Sequence, residues 1–386
     1  MNNNSWLNKK FFLSLAVLIG AIIGAGIFGI PYTISMSGVV PALFYFFILG
    51  GVVLLLHLFF GEVVLRTEKK HRLIGYAQRY LGNWGRNLVT VSTIIGTTGT
   101  LLAYLILGGE FLNIIFSPVL DLPPFYLSLI FWAILVYFVF KGIKLVAKAE
   151  IFTNLAFFFI ISIVFCCLLP QINMENFSLI DSKNIFLPYG IVMFSLVGFV
   201  AIPETIDILQ TSEERRSLKG IIIKSSVIVV FLYLFFSLAV VGVSGKNTSL
   251  DALSGLKSFL GQKIITLGAL FGVITIADSF LIICLYFKNA LIYDYHFPRS
   301  VAFLFSSGLP LTLFLVGFRN FIEVIGFVGT ILGAIEGAVI LLIFRKAKKN
   351  GTRMPEYNLK VPNFLMYLLA IIFIFGAISQ LFYYFK

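Results

Sequence analysis

Apolar runs long enough to cross a membrane recur along the whole chain and constrain its fold more than any other feature. About 20 consecutive apolar residues are needed to span the hydrocarbon core of a bilayer as a helix, and eleven such runs fit within the 386 residues. With 12% charged residues and a mean hydropathy of +1.01, the chain lies outside the range of soluble domains. We predict an all-α integral membrane protein with eleven transmembrane helices. The predicted spans cover residues 11–35, 39–65, 88–116, 124–140, 150–169, 185–209, 220–244, 263–287, 301–317, 322–344 and 362–384.

The distribution of basic residues predicts the orientation of the chain. Of the 29 Lys and Arg residues, 23 fall in segments on the same side of the membrane as the N-terminus, and cytoplasmic loops carry such an excess. We therefore expect a cytoplasmic N-terminus, an external C-terminus and residence in the cell (inner) membrane. The same distribution explains the net charge of +12 without a nucleic-acid partner. The lipid bilayer is the expected surrounding.

The first run contains helix-breaking residues at its centre. Residues 24–31 read GAGIFGIP, and glycine and proline weaken or interrupt helices. Irregular backbone at membrane depth is tolerated only inside the protein or along a cavity. The stretch therefore predicts a helix that opens at mid-depth and exposes amides and carbonyls to a ligand. An alternative is close helix packing, because Gly20 and Gly24 form a small-xxx-small pair.

A second interruption occurs in the sixth run, where residues 194–204 read FSLVGFVAIPE. The segments 29–34 and 201–206 (GIPYTI and AIPETI) resemble each other and lie five spans apart, so the second enters the membrane from the opposite side. Paired interrupted helices in two halves of a chain point to inverted repeats with the substrate site between them. We predict a single transporter domain with a first repeat over 11–169, an inverted second repeat over 185–344, and an extra helix over 362–384.

Several motifs resemble a known group of transporters. GAGIFGIP at 24–31 resembles the first-helix signature of the amino acid, polyamine and organocation transporter superfamily. GTLLAYLILGGE at 99–110, GFVAIP at 198–203 and SFL at 279–281 are similar to spans three, six and eight of the amino acid/auxin and hydroxy/aromatic amino acid permeases. The resemblance implies a leucine-transporter-like five-plus-five inverted repeat with discontinuous helices 1 and 6. The chain departs from the aromatic permeases at Asp278, where these tend to have Thr.

The two predicted breaks suit the two charged groups of an amino acid. Amides at the start of a half-helix attract a carboxylate, and carbonyls at the end of another attract an ammonium group. The resemblance implies the same assignment. A hydroxyl on span three and an aromatic lid complete the hypothesis, although the lid residue also suits ordinary packing. The substrate-binding candidates are Ala25, Gly26 and Ile27 for the carboxylate, Phe194, Ser195 and Leu196 for the ammonium group, Tyr104 for the hydroxyl and Phe199 for the lid.

Asp278 is the deepest acidic residue in the predicted spans, and such residues usually face a cavity or a partner. The resemblance implies that Asp278 and Ser279 lie beside the first helix, where a coupling ion is held. Together with carbonyls near Gly20 and Ile23, they suit either a sodium ion bound by oxygen or a transported proton. Glu336 in span ten is a further candidate for coupling. For both acidic residues, hydrogen bonding to a neighbouring helix is the structural alternative.

Other polar residues in or near the spans have simpler interpretations. His57 in span two is interpreted as a hydrogen-bonded packing residue, and Glu110 is expected near the outer mouth. Glu62, Glu204 and Asp207 are expected to form salt bridges with basic loop residues.

Two connecting segments have the periodicity of amphipathic helices. The connection 66–87 alternates polar and apolar residues at helical spacing, which predicts a helix on the cytoplasmic interface. The connection 248–261 places Leu250, Leu253, Leu256 and Leu260 on one face of a short helix. Such a helix suits either a cover over an outer vestibule or an interfacial loop without that role.

These observations together predict a secondary active transporter. We expect uptake of a neutral amino acid, with aromatic and hydroxy amino acids as the narrower candidates, by alternating access in symport with a proton in preference to sodium. A receptor of the same fold, which binds an amino acid without moving it, is the alternative. An enzyme is not expected, because three His residues and no clustered metal-ligand motif offer little for catalysis. No cofactor is expected beyond the coupling ion.

Overall fold

A computed structural model describes residues 3–141, 159–293 and 295–384 of the chain. These residues form helices and connecting loops without a β-strand. By length and composition, nine of the described helices can each cross a membrane, and one bent pair forms a further span. The helices are α1 Asn3–Ile22, α2 Gly26–Ser37, α3 Val39–Leu65, α4 Leu73–Leu81, α5 Asn83–Phe116, α6 Pro124–Lys141, α7 Phe159–Gln171, α8 Leu187–Leu196, α9 Ile202–Ile208, α10 Ser212–Arg216, α11 Leu218–Ser244, α12 Lys257–Tyr293, α13 Arg299–Val316, α14 Phe321–Ile331, α15 Gly337–Asn350 and α16 Asn363–Tyr384.

Ten of the eleven predicted spans coincide with apolar helices of the structure. The second, predicted over 39–65, is α3. The fifth, predicted over 150–169, lies partly outside the described residues, and its described part is the apolar helix α7. The end of the bundle where α1 begins is called the N-terminal face below, and the other end is called the opposite face.

The long helix α5 lies at the centre of the bundle and packs against α6, α12 and α14. Glycines allow the close approach. A Cβ at Gly96 would fall 2.5 Å from the side chain of Leu332, in the turn that follows α14, so the absence of a side chain lets this turn approach α5. Gly272 of α12 accommodates the Phe111 ring of α5 in the same way. Small residues serve this purpose between membrane helices, where burial of apolar surface provides no driving force.

The helix predicted in the 66–87 connection is confirmed as α4. Its buried side chains are Leu73, Ile74, Tyr76, Ala77 and Tyr80, and they face α5 and α15. The Tyr80 hydroxyl lies 2.7 Å from the Thr67 hydroxyl, which ties the helix to the end of α3.

The prediction of a single amphipathic helix over 248–261 is wrong. The Asp251 carboxylate accepts hydrogen bonds from the amide and the hydroxyl of Ser254, and a short 3-10 turn over Ser254–Leu256 follows. Gly261, with φ of 74°, then interrupts the next helical turn. Leu253, Leu256 and Leu260 are nevertheless buried, whereas Leu250 is 40% exposed.

The opposite face is held by backbone hydrogen bonds between distant segments. The amide of Val39 donates to Ser178 O at 2.9 Å, and the amide of Asp181 donates to Ser37 O at 2.8 Å. Gly38 joins α2 to α3 with φ of 91°, and its Cβ would lie 2.8 Å from the Ile180 backbone. Only glycine suits that conformation and that approach.

A buried carboxylate fixes the N-terminal face. Glu62 is fully buried at the end of α3 and accepts a hydrogen bond from Arg66 Nε at 2.8 Å and from the Leu359 amide at 2.7 Å. Lys348 Nζ of α15 lies 3.5 Å away. The salt bridge predicted for Glu62 is therefore present, and so is the one between Asp207 and Lys70. Glu204 is exposed and has no salt bridge among the described residues.

Lys10 and Glu214 form a second ion pair at this face, with Nζ and Oε1 2.8 Å apart. Glu214 also accepts hydrogen bonds from the amides of Thr211 and Gln210. The hydrogen bond from Lys10, aided by these amides, holds the pKa of the Glu214 carboxyl below its usual range. The pair therefore ties the start of α1 to the α9–α11 connection at neutral pH.

Glu62→Gln is predicted to destabilise the protein. It leaves Arg66 and Lys348 without their charged partner, and we expect a loss of about 2–3 kcal/mol, seen as a melting temperature lower by several degrees in detergent. Asp207→Asn is the matched control, because Asp207 and Lys70 are 50% and 78% exposed and exposed pairs contribute little. Equal melting temperatures for both variants would contradict the role given to Glu62.

Candidate substrate site at the two helix breaks

The first run is interrupted as predicted. Helix α1 ends at Ile22, α2 begins at Gly26, and the two axes are bent by 54°. The side chain of the N-cap residue Ala25 offers no acceptor to the first amides of α2. The first amides of a helix have no partner within it, so the amides around Ala25, Gly26 and Ile27 form a positively polarised end inside the bundle.

On the α1 side of this break, a side-chain hydroxyl donates a hydrogen bond to a backbone carbonyl. The Tyr233 side chain of α11 is fully buried and donates to the Ile22 carbonyl at 3.1 Å. This carbonyl belongs to the last residue of α1. Because the helix ends there, no amide of a following turn donates to it. Sequence reasoning missed Tyr233, because nothing in the sequence distinguishes it from the other fifteen tyrosines.

The sixth run is also interrupted where the sequence predicts it. Helix α8 ends at Leu196, Val197 is extended, a 3-10 turn covers Phe199–Ala201, and α9 follows. The last carbonyls of α8 belong to Phe194, Ser195 and Leu196, and the end of a helix leaves such groups without amide partners. A negatively polarised helix end therefore lies inside the bundle.

The two breaks pack against each other. A Cβ at Gly26 would lie 2.7 Å from Ser195 Cα, and a Cβ at Gly198 would lie 3.4 Å from Ile22 Cα. Glycine at both positions thus lets one backbone approach the other. The structure brings together the predicted carboxylate-binding residues of α2 and the predicted ammonium-binding residues of α8, which stand about 170 positions apart in the chain.

Tyr104 and Ser279 lie beside the first break. A Cβ on Gly24 would be 3.0 Å from the Tyr104 hydroxyl, and this hydroxyl interacts with the Ser279 side chain of α12. The neighbouring residue Asp278 is half-buried on the same helix. Two of the predicted site residues, one from each predicted group, therefore meet near Gly24.

Glu336 lies in a different part of the bundle from Ser279. It ends a π-helical turn, Leu332–Glu336, between α14 and α15, and its buried carboxylate accepts a hydrogen bond from Ser92 at 3.0 Å. Ser92 and Tyr104 belong to one helix and are separated along it by about 18 Å. The structure therefore does not place Glu336 with Ser279 in one group.

Phe199 is buried on the α9 side of its break. Its ring lies 6.0 Å from the Phe60 ring, which in turn contacts Tyr76 of α4 at 5.5 Å. These rings form a continuous aromatic path from the break to the N-terminal face. The lid role of Phe199 stays a prediction.

His57 is interpreted from the sequence as a packing residue, and the structure gives it a contact with the second break as well. It is fully buried, and both ring nitrogens have partners: the Gly198 amide at 3.0 Å and the Ser226 hydroxyl at 3.4 Å. It is hydrogen-bonded, as expected, but one partner is the second break itself. A histidine in an apolar run was the available signal, since polar residues inside a span are often functional.

Comparison with known proteins agrees with this architecture. Residues 7–380 match the tryptophan/tyrosine permease family. The chain belongs to this family. It is also 22% identical over 368 residues to glutamine transporter 2 of Aliivibrio fischeri, covering 92% of this chain and 94% of that protein. The crystal structure of MhsT in complex with L-phenylalanine superposes with a TM-score of 0.63 at 14% identity, over 96% of this chain and 97% of that one.

Membership in the tryptophan/tyrosine permease family confirms the resemblance to amino acid permeases, and the superposition confirms the all-α, leucine-transporter-like fold. The protein is therefore a multi-pass membrane protein of an amino acid transporter family. The boundaries predicted for the two repeats stay a prediction.

Gly26→Ala is predicted to abolish or strongly weaken amino acid binding. The added methyl group would force the Ser195 backbone away from α2, and we expect a loss of at least about tenfold in affinity. Gly51→Ala is the control, because a Cβ there meets nothing within 4 Å and alanine favours the helix. Binding would be measured by thermal shift with the twenty amino acids; unchanged affinity in Gly26→Ala would remove the first break from the site.

Proposed function

We propose that this permease is a secondary active transporter that takes up a neutral amino acid in symport with a cation. The observation that carries the proposal is the meeting of two interrupted helices, with the amide end of α2 beside the carbonyl end of α8. One end attracts a carboxylate and the other attracts an ammonium group. An α-amino acid carries both groups on one carbon.

The substrate carboxylate is assigned to the amides of Ala25, Gly26 and Ile27, with the Tyr104 hydroxyl as an additional donor. The ammonium group is assigned to the carbonyls of Phe194, Ser195 and Leu196, and Phe199 is the proposed lid. These assignments use backbone groups that every amino acid can bind, so selectivity depends on the side-chain surroundings.

Apolar surroundings favour a neutral substrate. Phe28 of α2 packs edge-on against Phe111 of α5 at 4.8 Å and against Phe236 of α11 at 6.5 Å. Ile23 and Ile27 are buried at the break itself. A charged substrate side chain would lose its hydration among such groups without a compensating partner, whereas an aromatic or aliphatic one would not.

Coupling is assigned first to Asp278 and Ser279. The contact of Ser279 with Tyr104 supports this assignment, because the Tyr104 hydroxyl lies beside Gly24 of the first break. A proton carried by Asp278 is the favoured coupling ion. Sodium is the alternative, with oxygen ligands from Gly20, Ile23, Asp278 and Ser279. Glu336 is proposed as a separate proton-carrying group, since its carboxylate is buried next to the Ser92 hydroxyl.

The excess of basic residues assigns the N-terminal face to the cytoplasm and the protein to the cell membrane. With repeats over 11–169 and 185–344, transport would proceed by rocking one helix group against the other around the breaks. The Lys10–Glu214 pair and the Glu62 cluster lie at the face that must open for release inward.

The proposal is tested with purified protein in proteoliposomes. Twenty amino acids are first screened by thermal shift, and the uptake of each binder is then measured under an inward proton gradient and under an inward sodium gradient. Accumulation of a neutral amino acid driven by the proton gradient is expected. Binding without any flux would replace transport by a receptor function, and an absence of both would refute the proposal.

Asp278→Asn is predicted to separate coupling from binding. The amide keeps the shape of the side chain but cannot carry a proton, so gradient-driven accumulation should fall at least about tenfold, while binding and exchange of labelled substrate continue. Glu175→Gln, an exposed residue of the connection between α7 and α8, is the matched control and should transport normally. Full accumulation by Asp278→Asn would exclude this carboxylate from coupling.

A further inference from the structure

His57 lies at the junction of three helices, and the proposed function gives it no role. It belongs to α3, and its ring reaches Gly198 at the break after α8 and Ser226 of α11. Its exposed fraction is 0%. Both hydrogen bonds connect residues that are far apart in the chain. The ring therefore links helices that are not neighbours in the sequence.

The partners of His57 define its protonation state. A backbone amide can only donate, so Nε2, which lies 3.0 Å from the Gly198 nitrogen, must be unprotonated. A neutral imidazole then carries its proton on Nδ1, where the Ser226 hydroxyl at 3.4 Å accepts it. The geometry requires a neutral ring in the Nδ1–H tautomer.

The bond to Gly198 changes how α8 ends. In a continuing α-helix, the amide of residue 198 would donate to the carbonyl of residue 194. The preceding amide still follows this pattern, because Val197 donates to Met193 O at 3.2 Å. The Gly198 amide instead donates to Nε2 of His57. The bond from Val197 to Met193 is therefore the last hydrogen bond of α8.

We propose that His57 is a positioning residue for substrate: by taking the Gly198 amide it holds α8 open and keeps the Phe194 carbonyl available to the ammonium group. This inference rests on the proposed amino acid site. His57 does not touch the substrate in this account. Ser226 acts one step further away, because its hydroxyl fixes the tautomer that presents the Nε2 lone pair.

The tautomer can be tested on the wild-type protein without any substrate. The chain has three histidines, so ¹⁵N-histidine labelling gives three pairs of ring-nitrogen signals in a solid-state NMR spectrum, and the pair lost in His57→Gln belongs to His57. We expect a protonated Nδ1, an unprotonated hydrogen-bonded Nε2, and a change at Nδ1 in Ser226→Ala. A protonated Nε2, in either the other tautomer or the imidazolium, would overturn the inference.

The effect on binding is tested with a matched pair of variants. Gln places an amide oxygen about where Nε2 lies, whereas Met has the same length and only a weak acceptor. The probes are the twenty proteinogenic L-amino acids and, for the tightest binder, the carboxylic acid that lacks its α-amino group. Affinities are measured for the wild type, His57→Gln and His57→Met.

We expect His57→Gln to bind the amino acid within about threefold of the wild type and His57→Met to bind it at least about tenfold more weakly. All three proteins should bind the deaminated acid equally, because the loss concerns the ammonium group alone. Wild-type affinity in His57→Met, or an equal loss of both probes, would refute the positioning role.

The two hypotheses fail in different ways. If the wild type binds none of the twenty amino acids, the proposed function fails, while the nitrogen spectrum still decides whether Nε2 accepts from Gly198. If the wild type binds an amino acid but His57→Met binds it equally well, the site stands and the role of His57 falls.

Discussion

The requirement that backbone polar groups find partners inside a membrane determines most of this structure. A helix that ends within hydrocarbon leaves amides or carbonyls without bonds, and each such group is costly. Here α1 ends at Ile22, whose carbonyl takes the Tyr233 hydroxyl, and α8 ends before Gly198, whose amide takes His57. These two side chains satisfy part of each break. In the proposed site, the first amides of α2 and the last carbonyls of α8 are the groups that bind the ligand.

The surrounding helices support this arrangement. Glycine at positions 26 and 198 removes the side chains that would separate the two breaks. Tyr104 of α5 and Ser279 of α12 contact each other beside the first break, and the Phe199–Phe60–Tyr76 path connects the second break to the N-terminal face.

Sequence predicts the features that depend on local chemistry. The limits of α3 follow from an apolar run between Gly38 and Arg66. The breaks include the expected Gly24 and Gly198, and Pro203 lies in the first turn of α9, whereas Pro31 lies inside α2. Features that depend on distant partners were not predictable. His57 and Gly198 are 141 residues apart. Glu336 is acidic like Asp278, but its carboxylate accepts a hydrogen bond from Ser92, on a distant part of the chain. The helix predicted over 248–261 does not form as one unit, because the turn at Asp251 and the conformation of Gly261 interrupt it despite the regular leucine pattern.

The central claim is that two backbone ends bind the two charged groups of an amino acid. The most direct measurement is an experimental structure of the protein with the tightest-binding amino acid from a screen of all twenty. The account predicts that the carboxylate lies within about 3 Å of the amides of Ala25–Ile27 and the ammonium nitrogen within about 3 Å of carbonyls of Phe194–Leu196. An amino acid bound away from both breaks, or one held in the opposite orientation, would contradict it.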